Sequence, residues 1–144
     1  MVSKDMEKDI DRVLISEKEL SETVKRLGAQ ISEDYKDKDL LLVSVLKGSV
    51  IFMADLMREI DVPCNIDFMA VSSYGNGTES SGRVKINKDL DNDIQGKDII
   101  IIEDILDSGN TLFQLKTMLE TEDVESMRKM MRQSTERRAL FDKK

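Results

Sequence analysis

Apolar positions along this chain recur in two rhythms, one of three to four residues and one of short unbroken runs. Ser16-Glu17-Lys18-Glu19 has the form of a capping box, in which a Ser hydroxyl accepts from the Glu19 N–H and the Glu19 carboxylate reaches back. Leu20, Val24, Leu27 and Ile31 then repeat at helical spacing and predict an amphipathic helix, with Tyr35 continuing the stripe. Leu40 to Leu46 is too short and too continuously apolar for a surface helix and predicts a buried strand. A helix is expected from Val50 to Ile60, ended by Pro63. Ile66 to Ser72 and Arg83 to Ile86 read as strands, separated by a polar, Gly-rich loop from Ser73 to Gly82. After a turn at Asp91-Asn92-Asp93, Ile99 to Ile102 gives four consecutive Ile, the strongest buried-strand signal. Thr111 to Gln114 has a second capping-box pattern and opens a last helix. Strands alternating with helices predict an α/β fold, a mainly parallel sheet flanked by helices.

Charge divides the chain unevenly. From Ser126 to Lys144 there are seven basic and two acidic residues, leaving 15 basic and 27 acidic residues in positions 1–125, a net −12 there. The expected organisation is thus a domain over 1–125 and a basic, Met-rich tail over 126–144. The total of −7 argues against non-specific nucleic-acid binding, which needs surplus Lys and Arg. No His is present, which removes histidine bases, imidazole zinc sites and the nucleophile systems built on His. The single cysteine, Cys64, excludes an internal disulfide framework and reads as a small packing residue. No apolar run approaches a membrane span, and a soluble cytoplasmic protein without a membrane partner is expected.

Two strand ends carry unusual chemistry, and ligands of open α/β sheets bind at the carboxyl ends of strands. Lys47-Gly48-Ser49 combines a charge, close backbone access and a helix start, all suited to a phosphate or pyrophosphate. Taken alone it reads better as a tight turn with a solvent-facing Lys, since the tripeptide is short and the GxxxxGK(S/T) loop is absent. Glu103-Asp104 is harder to explain structurally: two adjacent carboxylates ending an Ile run are costly unless cations or hydroxyls meet them. Asp107 to Thr111 adds a Gly turn, hydroxyls and a helix start. Carboxylates beside a phosphate cradle point to a sugar phosphate whose hydroxyls, or attached Mg²⁺, they hold.

The segment Ile99 to Thr111 (IIIIEDILDSGNT) resembles the phosphoribosyl-diphosphate (PRPP) signature of type I phosphoribosyltransferases. Leu41 to Ile60 and Ile66 to Gly75 are similar to bacterial hypoxanthine(-guanine) phosphoribosyltransferases, and the likeness runs from about Asp11 to about Leu119. The resemblance implies that Glu103 and Asp104 hold the ribose hydroxyls of PRPP near Mg²⁺. It implies that Asp107 is the general base at purine N7, and that Asp107, Ser108, Gly109, Asn110 and Thr111 cradle the 5′-phosphate. Lys47 and Gly48 would form the pyrophosphate loop, in which the family carries a non-proline cis peptide before the Gly. Ser73 and Tyr74 would belong to a flexible loop closing over the reacting centre. The family's assembly, carried over, implies a homo-oligomer.

Beyond the Thr111 helix the likeness ends. No residue matches the family's purine-reading Lys, its stacking aromatic or its late Asp, and only Glu136-Arg137-Arg138 weakly resembles the segment after that Lys. The expected function is purine salvage: transfer of 5-phosphoribosyl from PRPP to hypoxanthine or guanine, releasing pyrophosphate. The alternative is a truncated or altered copy, catalytically impaired, that keeps only the PRPP half-site.

Overall fold

The computed structural model of the 144-residue chain describes residues 6–73, 84–106 and 109–120. A short 3-10 turn, Met6–Asp9, precedes α1 (Glu17–Asp34), β1 (Leu40–Leu46), α2 (Val50–Met57), β2 (Cys64–Ser73), β3 (Val84–Lys88), β4 (Asp98–Ile102) and α3 (Asn110–Glu120). The sheet order is β3-β2-β1-β4. β1 runs parallel to both neighbours, while β3 pairs antiparallel with β2 across an irregularity at Ala70/Val71. The mainly parallel α/β expectation therefore holds, with one antiparallel strand at the edge.

Every residue of β1 except Leu46 is buried, as the unbroken apolar run requires of a central parallel strand. Its alternating side chains feed two cores. Leu41, Val43 and Val45 pack with Met69, Ile94 and Leu115 on the face covered by α3. Leu40 and Leu42 pack with Met53, Leu56 and Ile102 on the other, where α1 adds Val24, Leu27, Ile31 and Tyr35. The capping box at Ser16 and Glu19 forms as read, with Glu19 N–H donating to the Ser16 hydroxyl at 3.2 Å. Hydrogen bonds from Ser16 hold the Glu19 carboxyl below its ordinary range.

Four details depart from the sequence expectations. Leu20 is the stripe position that α1 leaves exposed, at 54%, because the stripe meets the core only from Val24 onward. Helix α2 stops at Met57, although Ile60 still packs against the core from the turn that follows. β2 starts at Cys64, where pairing with Leu40 begins, and β3 continues to Lys88, whose ammonium donates to Phe68 O and Asp89 O. α3 begins at Asn110, so Thr111 sits in its first turn rather than capping it, and Phe113 N–H bonds to Gly109 O instead.

Gly28 lies where α1 meets the turn after α2: an added Cβ would stand 2.5 Å from Glu59 O and 2.8 Å from its carbonyl carbon. Only a residue without a side chain allows that approach. Cys64 is half-buried, and desolvation pushes its thiol pKa up, consistent with a packing role. The tail over 126–144 lies outside the described residues. Among the described residues no helix is long and apolar enough to cross a membrane.

Candidate functional site

Parallel pairing sets the site. Because Ser44 is aligned with Ile102, β1 and β4 end at the same sheet edge, one running into Lys47-Gly48 and the other into Glu103-Asp104. β2, parallel to β1, ends there too, at Ser73, which still pairs with Val84. The two strand ends singled out from sequence thus share one edge, and the end of β2 lies on it as well.

The first two of these turns are in direct contact. A Cβ built on Gly48 would collide with Oδ2 of Asp104 and stand 3.1 Å from its Cγ and 3.2 Å from Oδ1. Gly48 is therefore the seat of the Asp104 carboxylate, and any larger residue would displace it. The peptide between Leu46 and Lys47 is cis, one peptide earlier than the bond that directly precedes Gly48. Val50 N–H reaches back to Lys47 O at 3.2 Å, closing the turn into α2.

Two hydroxyls that the sequence reading passed over hold this turn. Ser44 and Ser49 are both fully buried, with Oγ atoms 2.7 Å apart, and the Ser49 hydroxyl donates to Val45 O. A hydroxyl has one proton, so with Ser49's committed to Val45 the bond between the pair is donated by Ser44. Ser49 occupies the N-cap position of α2 but makes no side-chain cap bond. The available signal was Ser44 itself, a lone polar residue inside LLLVSVL.

The β4 turn is built differently. Glu103 is half-buried and accepts from Asp104 N–H at 3.1 Å. Desolvation first, then the neighbouring Asp104 carboxyl, raise the Glu103 pKa above its ordinary value. Among the described residues no Lys or Arg forms an ion pair with Glu103 or Asp104. Gly109 takes a positive φ of 80°, which turns the chain into α3, and Asn110 and Thr111 begin that helix. Asp107, Ser108 and Tyr74 lie outside the described residues. No group of three or more Cys, Asp or Glu suited to a metal occurs among the described residues. Two hard carboxylates nevertheless suit Mg²⁺, which commonly takes one or two from the protein and the rest of its oxygens from substrate phosphates and water.

A second cluster, away from this edge, also escaped the sequence reading. Buried Asp67 accepts from the backbone N–H groups of Phe68 at 2.7 Å and Asp91 at 2.9 Å, with Lys88 Nζ 3.7 Å away. It ties the segment after β3 to β2.

Comparison with known proteins agrees with this architecture. The phosphoribosyl transferase domain family matches residues 15–131. The hypoxanthine-guanine phosphoribosyltransferase of Streptococcus pyogenes serotype M3 (strain ATCC BAA-595 / MGAS315) is 53% identical over 115 residues, which are 80% of this chain and 64% of that protein. The protein of the same name from Staphylococcus epidermidis strain RP62A is 52% identical over 122 residues, 85% of this chain and 68% of that one. A crystal structure of a hypoxanthine phosphoribosyltransferase from Staphylococcus aureus superposes with a TM-score of 0.79 at 46% identity, covering 86% of this chain and 67% of that one. The chain thus spans roughly two-thirds of the length of the relatives it matches. With the aligned strand ends, the Gly48–Asp104 contact and a family match over most of its length, this chain belongs to the phosphoribosyl transferase domain family.

Proposed function

We propose that the chain carries the PRPP-binding machinery of a purine-salvage transferase, which moves 5-phosphoribosyl from PRPP to hypoxanthine or guanine and yields IMP or GMP. The observation that supports it most directly is the seating of Asp104 on Gly48, which joins a carboxylate turn to a Lys-Gly turn at one sheet edge. A ligand bearing both vicinal hydroxyls and a pyrophosphate needs such a pair. Glu103 and Asp104 accept from the ribose hydroxyls, and the Lys47 ammonium and the backbone around Gly48 meet the pyrophosphate. Gly109, Asn110 and Thr111, with Asp107 and Ser108, receive the 5′-phosphate at the start of α3.

In the reaction a purine nitrogen forms a bond to ribose C1′ while the bond from C1′ to the pyrophosphate oxygen breaks, the electron pair leaving with pyrophosphate. Asp107 takes the purine proton at N7. Ser73, where β2 ends, and Tyr74 after it in sequence belong to the loop that excludes water from the reacting carbon. Mg²⁺, held by Glu103 and Asp104 together with substrate oxygens, would offset the charge of the leaving pyrophosphate. A cytoplasmic location and a homo-oligomer accord with this assignment.

The second reading, PRPP binding without turnover, is favoured by one observation: the residues matched in sequence belong to the PRPP half of the site, and none matches the purine-contacting Lys, aromatic or late Asp. Calorimetric titration with Mg-PRPP, beside a steady-state assay of IMP formation from PRPP and hypoxanthine, separates the two. Binding with turnover supports the transferase, and binding alone supports the half-site. Absence of PRPP binding by the folded chain overturns both.

A further inference from the structure

Polar side chains buried without contact to solvent are costly unless each hydrogen bond is made, and a pair of serines in an otherwise apolar layer invites an explanation. Ser44 lies on the β1 face that also carries Leu40 and Leu42, is aligned with Ile102 of β4, and is 0% exposed. Ser49 is equally buried. An Ala at position 44 would suit that layer at least as well. A serine at the start of a helix ordinarily turns its oxygen toward the N–H groups of the first turn. Ser49 does not; its hydroxyl points backward and donates to Val45 O, while receiving from Ser44.

The two residues bracket Leu46-Lys47-Gly48. The Val45–Ser49 bond closes that segment into a loop, and Ser44 fastens the closing residue to the central strand. Val50 N–H to Lys47 O adds a further bond within the same turn. Gly48, held in this way, meets Asp104 across the edge.

We propose that Ser44 and Ser49 are positioning residues for pyrophosphate: a relay of two hydroxyls, from Ser44 to Ser49 to Val45 O, fixes the Lys47-Gly48 backbone in the conformation that receives the anion. The proposal rests on the PRPP reading above and deepens it. Neither hydroxyl touches substrate. Their effect is preorganisation: with the loop already ordered, binding does not have to supply the ordering free energy. Ser44 acts only through Ser49, because its proton goes to the Ser49 oxygen, whereas Ser49 also acts on Val45 directly.

The test compares two probes on the folded chain by calorimetry with Mg²⁺ present. Inorganic pyrophosphate reports on the Lys47-Gly48 turn, and ribose 5-phosphate reports on the turn after β4. For Ser49→Ala, pyrophosphate affinity should fall about tenfold, the scale of one or two lost hydrogen bonds, with ribose 5-phosphate affinity changed less than about twofold. Ser44→Ala should weaken pyrophosphate binding about threefold and keep the Ser49–Val45 bond, so it serves should Ser49→Ala not fold. The double variant should bind no more weakly than Ser49→Ala, since the Ser44 hydroxyl has nothing to act through once Ser49 is gone. Equal weakening of both probes, tracking a lower melting temperature, would mean a merely structural pair and overturn the proposal. So would unchanged pyrophosphate affinity in both single variants, or additive losses in the double. If the unmodified chain binds neither probe, the PRPP reading itself fails, a result distinct from those.

Discussion

The turns after β1 and β4 leave the same sheet edge one strand apart and are built on opposite principles. After β1 the buried polar groups brace one another: two hydroxyls and a backbone carbonyl are bonded together, and Lys47 O accepts from Val50. After β4, Glu103 bonds, among the described residues, only with its neighbour Asp104, accepting from the Asp104 N–H, and the following Ile105 and Leu106 are 72% and 73% exposed. A turn braced from within holds its Lys47 ammonium and Gly48 backbone in place for an anion. A turn with two carboxylates and no cation among the described residues to meet them is where a ligand's own hydroxyls or metal contribute most. The two turns meet at Gly48, where the Asp104 carboxylate is seated.

The largest effect expected from breaking this arrangement lies in the β4 turn. Asp107→Ala should lower turnover by about 10²-fold or more while leaving PRPP affinity largely intact, as loss of a proton acceptor does. Titration of PRPP beside a steady-state assay checks it, using a chain with measurable turnover. Glu103→Ala should do the reverse, weakening PRPP binding because it holds hydroxyls. Equal loss of PRPP affinity in both variants would refute the division of roles.

Next is the junction. Gly48→Ala places a methyl against Asp104, and since only a flexible carboxylate must yield, stability should change little while PRPP affinity falls about tenfold. Gly28→Ala is the control. There the obstacle includes the Glu59 backbone, which cannot swing away, so the expected result is a loss of roughly 1–3 kcal/mol by denaturant titration. A Gly48→Ala protein as unstable as the Gly28→Ala one would show that the junction is packing rather than site.

The smallest effect separates the turns by pH. Glu103 has a pKa raised in the folded chain, so between its unfolded and folded values the folded state binds more protons. Stability therefore falls as pH rises through that window, and the cost persists above it. Glu103→Gln should remove this dependence: its melting temperature relative to the parent should rise as pH climbs above the ordinary carboxylate value and level off once Glu103 of the parent is ionised. Partial exposure of Glu103 keeps the change small. Ser44→Ala should show no such pH dependence, because neither hydroxyl titrates there.

Much of the fold is fixed locally and was readable. A seven-residue run, apolar but for Ser44, is too short for a surface helix and reads as a buried strand, and β1 has the predicted bounds. The Ser16–Glu19 box forms because its two bonds span three residues and need no partner from elsewhere. Helix and strand ends were less legible. α2 and α3 differ from expectation by a turn or a residue, since tertiary packing and a single backbone bond at Gly109 decide where each helix stops or starts. The choice of β3 as antiparallel edge depends on pairing between segments with ten residues between them in sequence, Ser73 with Val84, which no local pattern encodes.

For the site, the residue types and spacing of Lys47-Gly48 and Glu103-Asp104 already carry the chemistry, because charge and glycine content are properties of the chain itself. That these segments share an edge, with Gly48 seating Asp104, follows only from the parallel register of β1 and β4, which brings positions 56 apart in sequence into contact. The Ser44–Ser49 pair belongs to that second class as well. A serine in an apolar run is visible in sequence, but its partner is chosen by where the next helix begins relative to the strand. Burial then turns two ordinary hydroxyls into a fixed bond, because in a dry layer each has no alternative partner.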